Sequence, residues 1–155
     1  MGIDIHVYIL KRNRETNTWE HIKLYHKEKN KFKLIDVYPF RNYELFSILN
    51  KKGEDNIYHA QPIEINTLPP HLKKEIKDFE CGYGFREINL ADLKLYLRKV
   101  LKIRDWDYED TDPNAWKDNP VKSFIERIEQ YIDFADYYWD IIPDSDIKII
   151  YWFDC

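Results

Sequence analysis

The sequence predicts a single α+β domain in which a small antiparallel sheet is packed by about four helices. Three observations carry that reading. Ile3, Ile5, Val7 and Ile9 alternate with Asp4, His6 and Tyr8, the period of a strand with one apolar face. Two stretches have helical spacing: Leu90, Leu93, Leu97, Val100 and Leu101, then Phe124, Ile125, Ile128, Tyr131, Ile132 and Ala135. Ile147, Ile149, Ile150, Tyr151, Trp152 and Phe153 form an apolar run with the character of a buried strand. Residues 2–10 and 146–154 are therefore expected in one sheet, with Ile3, Ile5 and Val7 turned inward.

The elements follow in order. Gly2 to Lys11 is the first strand and Thr16 to Tyr25 the second, a hairpin joined through the polar turn Asn13-Arg14-Glu15. In the second strand Trp19, His21, Lys23 and Tyr25 share a face, which places His21 with Asp4 and His6. Residues 26–40 carry Lys27, Lys29, Lys31 and Lys33 and suit an edge strand protected by lysines. Asn42 is placed to cap a short helix over 44–49. An extended stretch from Pro62 ends at Pro70, which opens a helix to about Phe79. Cys81-Gly82-Tyr83-Gly84 is a Gly-rich spot leading to Asn89, a cap for the helix Leu90 to Leu101. Asp105 to Pro113 is an acidic loop, and Pro120 opens a helix to about Tyr138. The expected last strand covers Asp146 to Asp154.

Composition bounds the function. At 155 residues, with 44% hydrophobic and 16% aromatic side chains, the chain suits one domain over 1–155 that buries about 70% of its unfolded surface. A formal net charge of −4 argues against sequence-independent binding of duplex nucleic acid, which needs a basic surface. Cys81 and Cys155 form neither a disulfide framework nor a CxxC site, so reduced thiols are expected. No leader pattern and no apolar run of about 18 residues occurs. A soluble cytoplasmic protein without a membrane partner is the expectation.

Asp4 and His6 stand two apart on a strand and so share a face, about 6–7 Å apart. With His21 and Asp154 they form a ligand set of types suited to Mn, Fe or Zn, but one that needs tertiary convergence to act. No metal, cofactor or catalytic residue is assigned on that basis. The acidic loop lacks the calcium-loop Gly, where Asp110 stands, and its final Glu, where Trp116 stands. Cys81 has no paired base. Arg41, beside Asn42 and Tyr43 at a loop-to-helix junction, is able to grip a phosphate while amide and ring meet a base or ribose. The alternating lysines and aromatics of 23–33 can add a basic stacking wall.

The order of motifs resembles a family of small phage and prophage proteins. Met1-Gly2-x-Asp4-Ile5-His6, Trp19, Arg41-Asn42-Tyr43-x-Leu45-Phe46-x-x-Leu49, Leu68-Pro69 and the closing Asp146-Ile147-Lys148-Ile149-Ile150-Tyr151-Trp152-Phe153-Asp154 carry the likeness along the whole chain. Such proteins typically open with Met-Gly-Cys-Asp-Ile-His and end with Phe-Trp-Phe-Asp-Asn. Here Ile3 and Cys155 replace the usual Cys and Asn. Many relatives carry Asp-Gly-His-Ser where this chain has Cys81-Gly82-Tyr83-Gly84. The resemblance implies an accessory role, counter-defence among the options, in the host cytoplasm. The missing acid, imidazole and hydroxyl shift weight from enzyme to binder.

The leading expectation is a phage-derived protein that binds a small anionic ligand, a nucleotide immune signal being the favoured class, and sequesters it. Its binding residues are expected to be Asp4, His6, Tyr8, Trp19, His21, Arg41, Asn42 and Tyr43. Arg41 and lysines between Lys23 and Lys33 would hold phosphate; Tyr8, Trp19 and Tyr43 would stack on a ring. The first alternative is a metal-dependent phosphoester hydrolase built on Asp4, His6, His21 and Asp154. The second is an inhibitor that meets a host protein through Asp105 to Asp112.

Overall fold

The structure, a computed structural model, describes residues 4–50, 60–64, 70, 73–74, 83–101, 119–135 and 142–154. Its architecture is α+β. Strands β1 (Asp4–Asn13), β2 (Thr18–Ile22), β5 (Gln61–Pro62), β6 (Tyr83–Asn89) and β7 (Ile147–Asp154) make one sheet in the order β2-β1-β7-β6-β5. Every neighbouring pair in it is antiparallel. Strands β3 (Tyr25–Glu28) and β4 (Lys31–Leu34) form a separate two-stranded ribbon. Among the described residues three α-helices have defined bounds, where about four were expected: α1 (Tyr43–Asn50), α2 (Leu90–Leu101) and α3 (Pro120–Ala135).

The first and last strands lie side by side, as expected, with Asp4 opposite Asp154, His6 opposite Trp152 and Tyr8 opposite Ile150. Ile5, Val7 and Ile9 join Ile149, Tyr151 and Phe153 in the main core. Leu45 and Leu49 of α1, Leu93 and Leu97 of α2, and Phe124, Ile125 and Ile128 of α3 close it from the helix side. Asparagines start all three helices. The Oδ1 of Asn42 accepts from Leu45 N at 2.9 Å, that of Asn89 from Asp92 N at 2.7 Å, and that of Asn119 from Val121 N at 2.9 Å. The Asn119 cap went unread, because Pro120 already marked the same helix start.

Three expectations need correction. The sheet face carrying Asp4, His6 and Tyr8 is not a wet polar surface. Tyr8, Leu10, Ile150 and Trp152 are buried there as a second, smaller core, with Trp19, Ile63 and Phe85 packed against it. The reason is the register: β7 is apolar on both faces, so its even-numbered residues bring Ile150 and Trp152 beside Tyr8 and His6. Residues 26–40 do not make one edge strand. Lys29 and Asn30, at φ 45° and 67°, reverse the chain, the conformation of a tight primed hairpin turn. Finally, Gly84 sits within a strand rather than a helix-leading turn. At φ 69° it lies so close to Phe153 that a Cβ would meet the ring's Cδ2 at 2.9 Å.

Other expectations fall partly outside the described residues: most of the helix from Pro70 to Phe79, the acidic loop from Asp105 to Pro113, and the ends of the chain at residues 1–3 and 155. Among the described residues, no helix is long and apolar enough to cross a membrane.

Candidate functional site

Strand β1 pairs with β2 only from Ile9 onward, where Ile9 faces Ile22. Past the end of that ladder, Asp4 to Tyr8 line a cleft of ≈ 230 Å³ together with Leu34 and the segment Asp36–Phe40. Its carboxylate and imidazole side chains are Asp4, Asp36 and His6, and the phenols of Tyr8 and Tyr38 line it as well. In the segment 36–40, Val37 and Tyr38 are buried in the core while Asp36, Pro39 and Phe40 are exposed, so two adjacent side chains anchor the segment and its ends stay at the surface.

The cleft wall is held from behind by α3. Tyr131 Oη donates to Ile35 O at 2.9 Å and accepts from Leu24 N at 2.8 Å. Arg127 Nε donates to Val37 O at 2.9 Å, and its guanidinium lies 5.8 Å from the centre of the Phe40 ring. Phe40 meets Tyr38 edge-on at 5.5 Å. Burial pushes the Tyr38 phenol above its usual range, opposed by a hydrogen bond with the Asn42 side chain. The aromatic pair is thus fixed at one end by Asn42 and at the other by Arg127.

Arg41 closes the rim. Its Nε donates to Asp4 Oδ1 at 2.8 Å, and both side chains keep contact with solvent, 61% and 43% exposed. An ion pair so exposed contributes about 0.2–1 kcal/mol. It positions the guanidinium more than it stabilises the fold. His6 stacks on Trp152, 5.3 Å between ring centres and 21° between planes. Its ring is thereby set by the second core.

The eight residues expected to bind ligand divide into groups. Asp4, His6 and Tyr8 line the cleft, and Arg41 joins them through Asp4. Asn42 serves as the α1 cap and partner of Tyr38. Tyr43 begins α1 with 57% of its surface exposed. His21 packs against the Tyr8 ring at 4.5 Å. Trp19 lies elsewhere, under Lys148 Nζ at 4.2 Å, beside a second cleft of ≈ 200 Å³ that includes Glu87, Asn89 and Asp92. Asp36, Tyr38, Phe40 and Arg127 were missed. The aromatic pair Tyr38 and Phe40 directly before Arg41 was the available signal.

Among the described residues, no three His, Cys, Asp or Glu side chains gather as a metal site. Asp154 is opposite Asp4 in the backbone register, its side chain lying outside what is described, as do Cys81 and the acidic 105–112 stretch. Comparisons with protein-family models, curated proteins and solved structures find no match.

Proposed function

We propose that the protein captures a nucleotide, with base and ribose in the cleft and phosphate at its rim. The observation that carries this is the Asp4–Arg41 pair at the mouth of an aromatic-walled cleft. At ≈ 230 Å³ the cleft is smaller than the roughly 300–1,000 Å³ sites of drug-sized ligands, so only part of a nucleotide fits inside. Charge decides which part. Asp4 and Asp36 repel a phosphate from the interior and accept hydrogen bonds from ribose hydroxyls or base amino groups. Arg41, held by Asp4 and reaching solvent, meets the phosphate outside. Because the pair already restrains Arg41, less side-chain freedom is lost on binding.

Taken with the resemblance to phage and prophage proteins, this reading makes the protein an accessory that sequesters a nucleotide signal of its host. The test is calorimetry against a panel of linear and cyclic nucleotides. Arg41→Ala is expected to weaken binding of the responding nucleotide by about one to two decades, the worth of a charge-assisted contact of roughly 1.5–3 kcal/mol. Its circular dichroism should match the unmodified protein. Absence of heat with every nucleotide would refute the proposal.

A further inference from the structure

The ribbon β3–β4 buries almost nothing. Every residue of Tyr25–Glu28 is exposed, and in Lys31–Leu34 only Leu34 is partly covered. A lone two-stranded ribbon is marginal in water, and ordering it gains little from the core here, so its side chains answer to something outside the fold. Their chemistry is uniform. Lys27, Lys29, Lys31 and Lys33 stand against the single acid Glu28, a basic projection on a chain whose net charge is −4. Phe32 is 72% exposed and Tyr25 51% exposed.

Register sorts these groups. Tyr25 pairs with Leu34 and Lys27 with Phe32, so Tyr25, Lys27, Phe32 and Leu34 share one face. His26 pairs with Lys33 and Glu28 with Lys31, placing two further lysines on the other. On the first face Tyr25 and Phe32 are diagonal neighbours, about 7–8 Å apart, and Lys27 adjoins both, directly opposite Phe32 and two residues along the strand from Tyr25. Two rings at that spacing with a cation beside both suit two successive bases of an unstacked strand and the phosphate that joins them.

We propose that this ribbon binds single-stranded nucleic acid, Tyr25 and Phe32 stacking on bases and the lysines of both faces following the backbone. The proposal stands apart from the cleft reading. Cations on both faces of a narrow ribbon suit a polymer that wraps it, whereas a bilayer meets a surface from one side only. Exposed rings add a sequence-tolerant attraction that an acidic peptide does not require.

The experiment is fluorescence anisotropy of a labelled oligothymidine of about a dozen nucleotides. A duplex of equal length and vesicles of phosphatidylcholine with phosphatidylserine are measured alongside. The single strand is expected to bind more tightly than the duplex. Phe32→Ala should weaken it about tenfold. Replacing Lys27, Lys31 and Lys33 by Gln should reduce the slope of log affinity against log salt by about 2. Thermal melts of the variants should be unchanged, since none of these side chains is buried. No binding of the single strand at low salt overturns the proposal, as does affinity untouched by Phe32→Ala. Vesicle binding lost in Phe32→Ala, with no oligonucleotide binding, would assign the ribbon to a membrane surface instead.

Discussion

Tyr131 offers the sharpest test of how the cleft wall is built. Its hydroxyl joins Leu24 N, just before the ribbon, to Ile35 O, just after it, at 2.8 and 2.9 Å. The same two residues also bond directly, Ile35 N to Leu24 O at 2.8 Å. One side chain of α3 therefore anchors the base of the ribbon and the start of the Asp36–Phe40 wall. Tyr131→Phe keeps the buried ring, 3% exposed, and removes only the oxygen. Two hydrogen bonds at about 0.5–1.5 kcal/mol each give a loss of about 1–3 kcal/mol. For a domain of this size that lowers Tm by roughly 2–12 °C. Urea unfolding supplies the free energy, and amide exchange at Leu24 supplies the location. A loss below about 0.5 kcal/mol, with Leu24 exchange unaltered, would refute the anchoring role.

Further predictions concern the core and its titration. Arg86 is buried and donates to Leu49 O at 3.0 Å, where Tyr151 Oη also donates at 3.2 Å, so Arg86→Met should cost about 1.5–3 kcal/mol in urea unfolding by removing a charge-assisted bond at the end of α1. Burial pushes the Tyr151 phenol up to about 12, opposed by Arg86. The folded state then holds a proton that the unfolded chain releases near pH 10, so stability should be intact below about pH 10 and fall by about 2–3 kcal/mol by pH 12; denaturation midpoints across that window check it, and Tyr151→Phe should flatten the fall. Chelator treatment is expected to leave Tm unchanged, and stoichiometric Zn, Mn or Fe surviving desalting, with a lower Tm in chelator, would restore the hydrolase alternative.

Elements whose signal is local were legible in the sequence. The alternation of Ile5, Val7 and Ile9 and the stripe of Leu90, Leu93 and Leu97 specify their own conformation, and side-chain capping by Asn42 and Asn89 follows from residue type alone. Elements specified by a partner were not. The stretch up to Asn89 reads only as a Gly-rich spot, Cys81-Gly82-Tyr83-Gly84, ahead of a helix cap. Its strand character comes from pairing with β7 across a bulge between Tyr83 and Arg86, and Gly84 is there because Phe153 leaves no room for a Cβ. The hairpin at Lys29-Asn30 lacks glycine, so of its two positive φ values only that of Asn30 had a compositional marker, asparagine being tolerant of the left-handed region.

The same distinction governs the cleft. Asp4 and His6 were readable as neighbours because a strand puts i and i+2 on one face, and Arg41 stood out by its junction with Asn42. What no local pattern contained was the distance between them, closed across 37 positions of sequence by a 2.8 Å bond. That contact depends on the wall Asp36–Phe40, which in turn depends on Arg127 and Tyr131 from a helix some ninety residues away. The polar face was misjudged for a related reason: whether Tyr8 meets water or Trp152 is decided by the β1–β7 register, which places Trp152 within 4.8 Å of its ring. Burying that middle portion leaves only the end of β1 open. The chemistry is concentrated there, where Asp4, His6 and Arg41 adjoin the one stretch of the strand that β2 does not cover.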